Sequence, residues 1–439
     1  MSKPIKKARK YLKKSFGGSA SNVFRGMATM ALGSGIAKVI GIIAVPILTR
    51  IYAPEDFGIL AIFTAVVAML TPIMTLRYSL SLPLPRHDGI AFNMLIVSVG
   101  LMLLNISITS IVMWLFGEEI LSYFSMEEIS TLWWLIVVGV LGASIYEMLS
   151  LWATRKRNYR IIAKTNVLQS LTGSITKVLL GLLAFKPYGL LLGQVLAQGG
   201  GSTRLFSNFH SDFRTNWTHL SWSRMRKGAW HYRGFPFFRV PSQFLLIAAQ
   251  QAPLLFVASF FGVAVAGQLA IAKMLVSMPV TFISGALTKA AYGELASISK
   301  NNPTEIQKVF NDITKKLLLV STIACISVFT LAPILLPAIL GSEWVQAGTF
   351  ASYLSVYLVA TIIAVPMPAF VNVFNRQKEF LLWNVLRIAM IILLISMAKQ
   401  IDITPESFVL LYGVSMLIFQ TGVIARVAKI LKAEVEFSN

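Results

Sequence analysis

The chain has 439 residues, of which 56% are hydrophobic and only 13% charged, and its mean hydropathy is +0.71. A soluble domain carries roughly 25% charged residues, and it could not hide this much apolar surface, so lipid is the solvent for most of it. The net charge of +21 would suggest nucleic acid in a soluble protein. Here the basic residues are grouped between apolar runs, as in cytoplasmic loops, and nucleic-acid binding is set aside. The single cysteine, Cys325, excludes an internal disulfide and a thiolate metal cluster, and the four histidines form no zinc pattern.

Residues 1–21 carry seven lysines or arginines and no acid, a basic tail suited to anionic headgroups. The apolar run that follows, Met27 to Ile51, is longer than a signal h-region of roughly 7–15 residues and reads as a retained first membrane helix. Its helix is expected over 22–51, with Asn22 or Ser21 as cap. The short turn Arg50 to Asp56 leads into helix 2 at 56–82, making a membrane hairpin. Helix 3 is expected at 89–116, helix 4 at 129–152, helix 5 at 158–184 and helix 6 at 187–206. The turn between helices 3 and 4 holds Glu118, Glu119, Glu127 and Glu128. The next turn holds Arg155, Lys156, Arg157 and Arg160, and this contrast is the clearest topology signal in the chain.

Residues 207–235 mix aromatic and basic residues and read as an interfacial cytoplasmic linker, with Trp217, Trp222 and Trp230 at headgroup depth. Helix 7 is expected at 236–260 and helix 8 at 264–293, then a polar stretch from Ser297 to Lys316. Helices 9 to 12 follow at 317–340, 345–374, 380–398 and 406–425. The expected fold is an all-α polytopic membrane protein of about 12 helices. It comprises a basic cytoplasmic tail 1–21, a six-helix lobe 22–206, the linker 207–235, a second six-helix lobe 236–425 and a cytoplasmic tail 426–439, around a central cavity. Both termini are then cytoplasmic, and the inside segments are the Lys/Arg-rich ones.

The turn Ile51 to Ala61 has a counterpart at Phe260 to Ala270, a constant 209 positions on. Gly58 matches Gly267, Leu60 matches Leu269 and Ala61 matches Ala270, and a proline follows in each next helix, Pro72 and Pro279. A repeat after an even number of helices has the same orientation in both halves and relates them by an axis along the membrane normal, as in two-lobed transporters. Prolines elsewhere in the helices, such as Pro46, Pro253, Pro333 and Pro366, predict bends.

A charge at mid-bilayer costs roughly 2.5–3.5 kcal/mol on insertion scales and usually marks a cavity or pathway. Lys38 lies mid-helix among Gly33, Ser34, Gly35, Ala37 and Gly41, with Lys177 in helix 5, Lys273 in helix 8 and Arg387 in helix 11. Arg77 and Arg239 lie nearer the cytoplasmic ends of helices 2 and 7, and for these two and for Lys177 snorkelling is the competing reading. Glu147 is the main embedded acid, either a counter-ion or a coupling site for H+ or Na+. A cavity lined by this positive set suits an anion, and Arg and Lys suit phosphate. No glycine-rich phosphate loop and no large outside loop supports an enzyme. No metal or other cofactor is expected beyond a coupling ion.

The string Leu48 to Gly58 (LTRIYAPEDFG) resembles the first-turn signature of polysaccharide-biosynthesis flippases of the O-antigen type, relatives of multidrug and toxin extruders and of the peptidoglycan-precursor flippase. Tyr232 to Pro236, continuing through Gly267 to Pro279, resembles the second half. The resemblance implies a two-lobed, twelve-helix transporter of the bacterial inner membrane. It would move oligosaccharide repeat units on polyprenyl pyrophosphate from the cytoplasmic to the periplasmic leaflet, for O-antigen, lipopolysaccharide or capsule assembly. Its partners would be that lipid-linked substrate, membrane lipid, a polysaccharide polymerase and a chain-length regulator. Lys38, Arg77 and Lys273 are the first candidates to hold the pyrophosphate or acidic sugars. Two alternatives stand beside this reading. A cation-coupled multidrug extruder would favour embedded acids. A peptidoglycan-precursor flippase commonly has two further helices, for which the sequence after Arg426 leaves no room. A membrane scaffold would leave the embedded charges without a purpose.

Overall fold

The structure is a computed structural model, and it describes residues 19–124, 132–297, 303–373 and 378–438. Its first half is α1 (Ser19–Ile51), α2 (Pro54–Met74), α3 (Asp88–Ser122), α4 (Trp133–Arg155), α5 (Tyr159–Leu182), α6 (Tyr188–Gly199) and α7 (Ser202–Asn216). The short α8 (Trp222–His231) precedes α9 (Val240–Phe261), α10 (Val263–Ser297) and α11 (Pro303–Leu340). The chain ends with α12 (Val345–Ser355), α13 (Leu358–Ala364), α14 (Met367–Val373), α15 (Lys378–Gln400) and α16 (Pro405–Ser438).

Local chemistry places the ends of these helices. Pro54 opens α2 at a position where its missing N–H would have had no helical partner. The Asp56 carboxylate turns back to accept the Ala53 N–H at 3.0 Å, tying the start of the same helix. Gly262, at φ 95°, makes the corresponding break between α9 and α10 in a left-handed conformation that suits glycine.

Nine helices among the described residues are long and apolar enough to cross a membrane, or ten if the bent pair 342–355 and 358–364 is one span. Twelve were expected, and the difference lies at expected helices 5 and 6. α5 fills the first of these, but Asn166, Gln169, Thr172, Ser174, Thr176 and Lys177 dilute its hydropathy. Expected helix 6 breaks after α6, at Gly199 to Gly201, and resumes as the amphipathic α7. The 12 residues of α6 span only about 18 Å against a hydrocarbon core of about 30 Å. Expected helix 10 is also not one rod, since it bends by 55° between α12 and α13. The stretch from Ser297 to Lys316, expected as a polar connection, is helical from Pro303 onward.

The helices pack in two sets. α1 lies on α5, α5 on α6, α4 on α6 and α3 on α4. In the second half α12 packs on α10, α11 and α16, and α9 packs on α15. The sets meet where α2 packs on both α9 and α10, and where α1 touches α11. The counterpart of the α2–α9 contact under the 209-position offset is α10 with α1, and these two are not a packed pair among the described residues. Within the first set, Asp88 accepts from Arg155 and Lys156, each at 2.8 Å, and Lys156 also reaches Asp212 at 3.1 Å. That network ties α3, α4 and α7 at one end. The expected interfacial linker folds onto the same end: Tyr78 donates to the Ala229 carbonyl at 3.0 Å and Asn93 to the His219 carbonyl at 2.9 Å. Trp217, Trp222 and Trp230 remain exposed on this segment, with Arg233 stacked 4.1 Å over Trp230.

Candidate functional site

At the end of the molecule that carries the turn 52–56, the two sets are joined by close contacts. A Cβ built on Gly58 would fall on the Val263 carbonyl, and one built on Gly267 would fall on the Pro54 carbonyl. Only a residue without a side chain allows α2 and α10 to approach this closely. Trp344, fully buried, packs edge-on against Phe57 with ring centroids 5.1 Å apart, and its indole N–H donates to the Thr49 carbonyl at 3.3 Å. Gln268 braces the partner side, accepting the Ala347 N–H at 2.9 Å and donating to the Glu343 carbonyl at 2.6 Å. Tyr52 donates to the Lys177 carbonyl at 2.7 Å, and burial, helped by the Asp56 carboxylate, pushes its hydroxyl up to about 12, so it stays a donor.

Away from this joint lie the embedded charges. Leu76 and Arg77 both take left-handed backbone, at φ 44° and 59°, and turn the chain out of α2. This brings the Arg77 guanidinium onto the Glu147 carboxylate of α4. Arg77 is 8% exposed, and Glu147 is therefore its counter-ion in this conformation. The pair is close to neutral, so Arg77 adds less to a cationic cavity than its sequence position suggests. Lys177 donates to the Gln194 side chain at 2.7 Å, and Lys273 to the Gln250 carbonyl at 2.9 Å. Gln250 sits one residue after Ala249, whose carbonyl loses its helical donor at Pro253. Arg387 lies 5.1 Å from the Phe419 ring, with its Nε buried and unpartnered. Lys38 is exposed on α1 and Arg239 is exposed at the start of α9.

The structure thus brings two of the seven candidates together, Arg77 and Glu147, and leaves Lys38, Lys177, Lys273, Arg239 and Arg387 on separate helices without a common contact among the described residues. No described group of three His, Cys, Asp or Glu side chains is placed to hold a metal ion. Sequence reasoning did not find the Trp344–Thr49–Phe57 contact, which joins positions nearly three hundred residues apart. The match between Gly58 and Gly267 was the one available signal for the joint.

Two bundles of bent membrane helices that meet tightly at one end define the fold, which is that of the MOP superfamily. Solved structures share it. A multidrug-resistance MATE-family transporter of the MOP superfamily in its inward-facing conformation is 14% identical over 93% of this chain and 100% of its own, with a TM-score of 0.59. A Vibrio cholerae MATE transporter mutant is 13% identical over 96% and 98%, with a TM-score of 0.59. A MOP-superfamily transporter from Pyrococcus furiosus, described as having a binding pocket of reverse polarity that suggests a different function, is 14% identical over 93% and 96%, with a TM-score of 0.57. At these identities the likeness is one of fold. No curated protein matches the chain by sequence. Residues 47–349 match the family described as polysaccharide biosynthesis protein, and the chain belongs to that family.

Proposed function

We propose that the protein is an alternating-access flippase that moves a glycan carried on polyprenyl pyrophosphate from the cytoplasmic to the periplasmic leaflet of the bacterial inner membrane. The observation that carries this reading is the family membership over residues 47–349, together with an excess of embedded cations over embedded acids among the described residues. After Glu147 is spent on Arg77, the cations Lys38, Lys177, Lys273 and Arg387 remain within apolar helices; among the described residues Lys177 and Lys273 donate to neutral groups and Arg387 lies against a ring. A low-dielectric cavity with that excess favours an anionic headgroup. The halves 22–206 and 236–425 act as the two lobes, and the linker 207–235 stays on the cytoplasmic surface. In this reading the joined end, which bears the Lys/Arg-poor turns, faces the periplasm, and the substrate enters from the cytoplasmic side. The seam between α1 and α10, unpacked here, suits a cargo whose lipid tail stays in the bilayer while its headgroup enters. Coupling to H+ or Na+ would reset the cycle, and a glycan polymerase and a chain-length regulator would take the product.

A second reading is a cation-coupled multidrug extruder, which the likeness in fold to a multidrug-resistance MATE-family transporter favours. One experiment separates the two. Purified protein in phosphatidylcholine vesicles is given either a fluorescent polyprenyl-pyrophosphate oligosaccharide or a cationic dye. Flipping of the lipid, lost in Lys38→Ala and Lys273→Ala, is the expected result. Dye transport without lipid movement would establish the extruder.

A further inference from the structure

We propose that the lipid carrier docks on the outer surface of α5, with its phosphates in a basic pocket at the cytoplasmic end and its tail in an apolar groove between α1 and α5; this rests on the flippase reading above. The pocket has a volume of about 380 Å3 and is lined by Arg160 and Lys164 of α5, by Arg204, Ser207 and Asn208 of α7, and by Asn158. It contains three cations, several neutral donors and no carboxylate, a lining suited to a doubly charged pyrophosphate diester. The groove has a volume of about 330 Å3 and is lined by Ile40, Ile43 and Ile47 of α1 and by Ile175, Val178 and Leu179 of α5, with Ser174 its one polar residue.

Helical periodicity makes these two cavities one surface. Arg160, Lys164, Leu168, Leu171, Ile175, Leu179 and Leu182 recur at three- and four-residue spacing, and every one is exposed. They form one stripe along α5 that begins with two cations and continues purely apolar. α1 is held against the neighbouring face of α5, where Asn166 donates to Ser34 at 3.1 Å and Ser170 to the Ala37 carbonyl at 2.6 Å. At about 100° per residue, Ile36, Ile40, Ile43 and Ile47 fall on the flank of α1 opposite Lys38. The groove is therefore separate from any cavity that Lys38 lines, and it opens on the lipid side. Its upper end lies one turn from Arg50, which reaches the Ile339 carbonyl of α11 at 3.4 Å, so it borders the seam between the helix sets.

Length identifies the occupant. At a rise of about 1.5 Å per residue, Ile175 and Leu179 lie roughly 16–22 Å beyond Lys164. Half of the hydrocarbon core is about 15 Å. A chain anchored by its phosphate at Arg160, Lys164 and Arg204 and seated in the groove must cross the bilayer midplane. An acyl chain of an ordinary phospholipid ends within its own leaflet, whereas a long polyprenyl chain does not.

The test uses the full chain in phosphatidylcholine vesicles and a long-chain polyprenyl pyrophosphate carrying a photoreactive diazirine halfway along its tail. Cross-links are expected within 36–47 and 168–182. Unlabelled polyprenyl pyrophosphate should displace them, while farnesyl pyrophosphate, with the same headgroup and a short tail, should not. Filling the groove with Ile43→Trp and Ile175→Trp, or removing charge with Lys164→Ala and Arg204→Ala, should lower labelling about tenfold, and Lys164→Arg should retain it. All four positions are exposed, and the competition arm needs no variant. Labelling elsewhere, or equal displacement by phosphatidylglycerol, overturns the proposal; the latter makes the site one for bulk anionic lipid. The same vesicles report translocation. Groove labelling without translocation defeats the flippase reading alone, and translocation that ignores both double variants defeats the docking site alone.

Discussion

Gly58 and Gly267 lie against one another, each at the point where a side chain would strike the opposite helix: Gly58 meets Val263 and Gly267 meets Pro54. The offset from Pro54 to Val263 is the same 209 positions as from Gly58 to Gly267. The contact is therefore reciprocal, residue against counterpart, in the way a two-fold interface is within an oligomer. A joint built from two matching halves can open by rotating one set against the other without remaking either core.

Adding volume at this joint should force it open. Gly58→Val or Gly267→Val places side-chain carbon on backbone carbonyls, and such overpacking typically costs 1–3 kcal/mol. The closed-end conformation should lose population by about tenfold or more. Spin labels at Glu55→Cys and Glu343→Cys, both exposed at the joint, should then report a longer distance than in the parent. An unchanged distance distribution would show that this contact does not set the conformation.

Trp344 contributes to the same closure in two separable ways. Trp344→Phe keeps most of the ring contact with Phe57 and loses the N–H bond to the Thr49 carbonyl, a loss of about 0.5–1.5 kcal/mol. Trp344→Ala also empties a fully buried site and should cost about 3–5 kcal/mol. Thermal unfolding in detergent should rank the three proteins in that order.

Glu147 and Arg77 are expected to fail singly and recover together. Glu147→Gln leaves a buried guanidinium without its counter-ion, a change that typically costs about 3–5 kcal/mol. Arg77→Met combined with Glu147→Gln removes both charges and should regain most of the lost stability. If the double variant is as unstable as the sum of the two singles, the pair is not energetically coupled, and Glu147 has another duty.

Lys38→Ala and Lys273→Ala should leave the fold intact, because neither side chain anchors a charge pair among the described residues. Each should lower lipid-linked glycan translocation by about tenfold, equivalent to about 1.4 kcal/mol of lost anion binding. The readout is surface glycan together with cytoplasmic-leaflet lipid intermediate in cells relying on the variant. Normal surface glycan in both variants would remove these lysines from the pathway.

Much of the fold was legible in sequence because the solvent reads hydropathy residue by residue. The turn at Pro54 and Asp56 and the long apolar helices follow from local composition, and the structure contains each; Trp217, Trp222 and Trp230 are exposed, as their segment's mixed composition suggests. Helices 5 and 6 were less legible. α5 survives with polar residues that would be costly in lipid, because α1 and α4 supply their partners: Ser34 and the Ala37 carbonyl on one side, Tyr146 on the other. The glycines 199–201 stop α6 short, and hydropathy alone runs past them.

The sequence by itself determined that the chain lives in lipid, that the charges within its apolar runs are mostly positive and that the turn around Gly58 recurs 209 positions on, since each of these is a sum or a spacing along the chain. Tertiary structure alone decided which charges cancel and where the halves touch. Arg77 stands 70 positions from Glu147, and Thr49 stands 295 from Trp344. Contacts that distant form only when helix packing brings the two positions together, because electrostatic attraction and close packing act through space over a few ångströms.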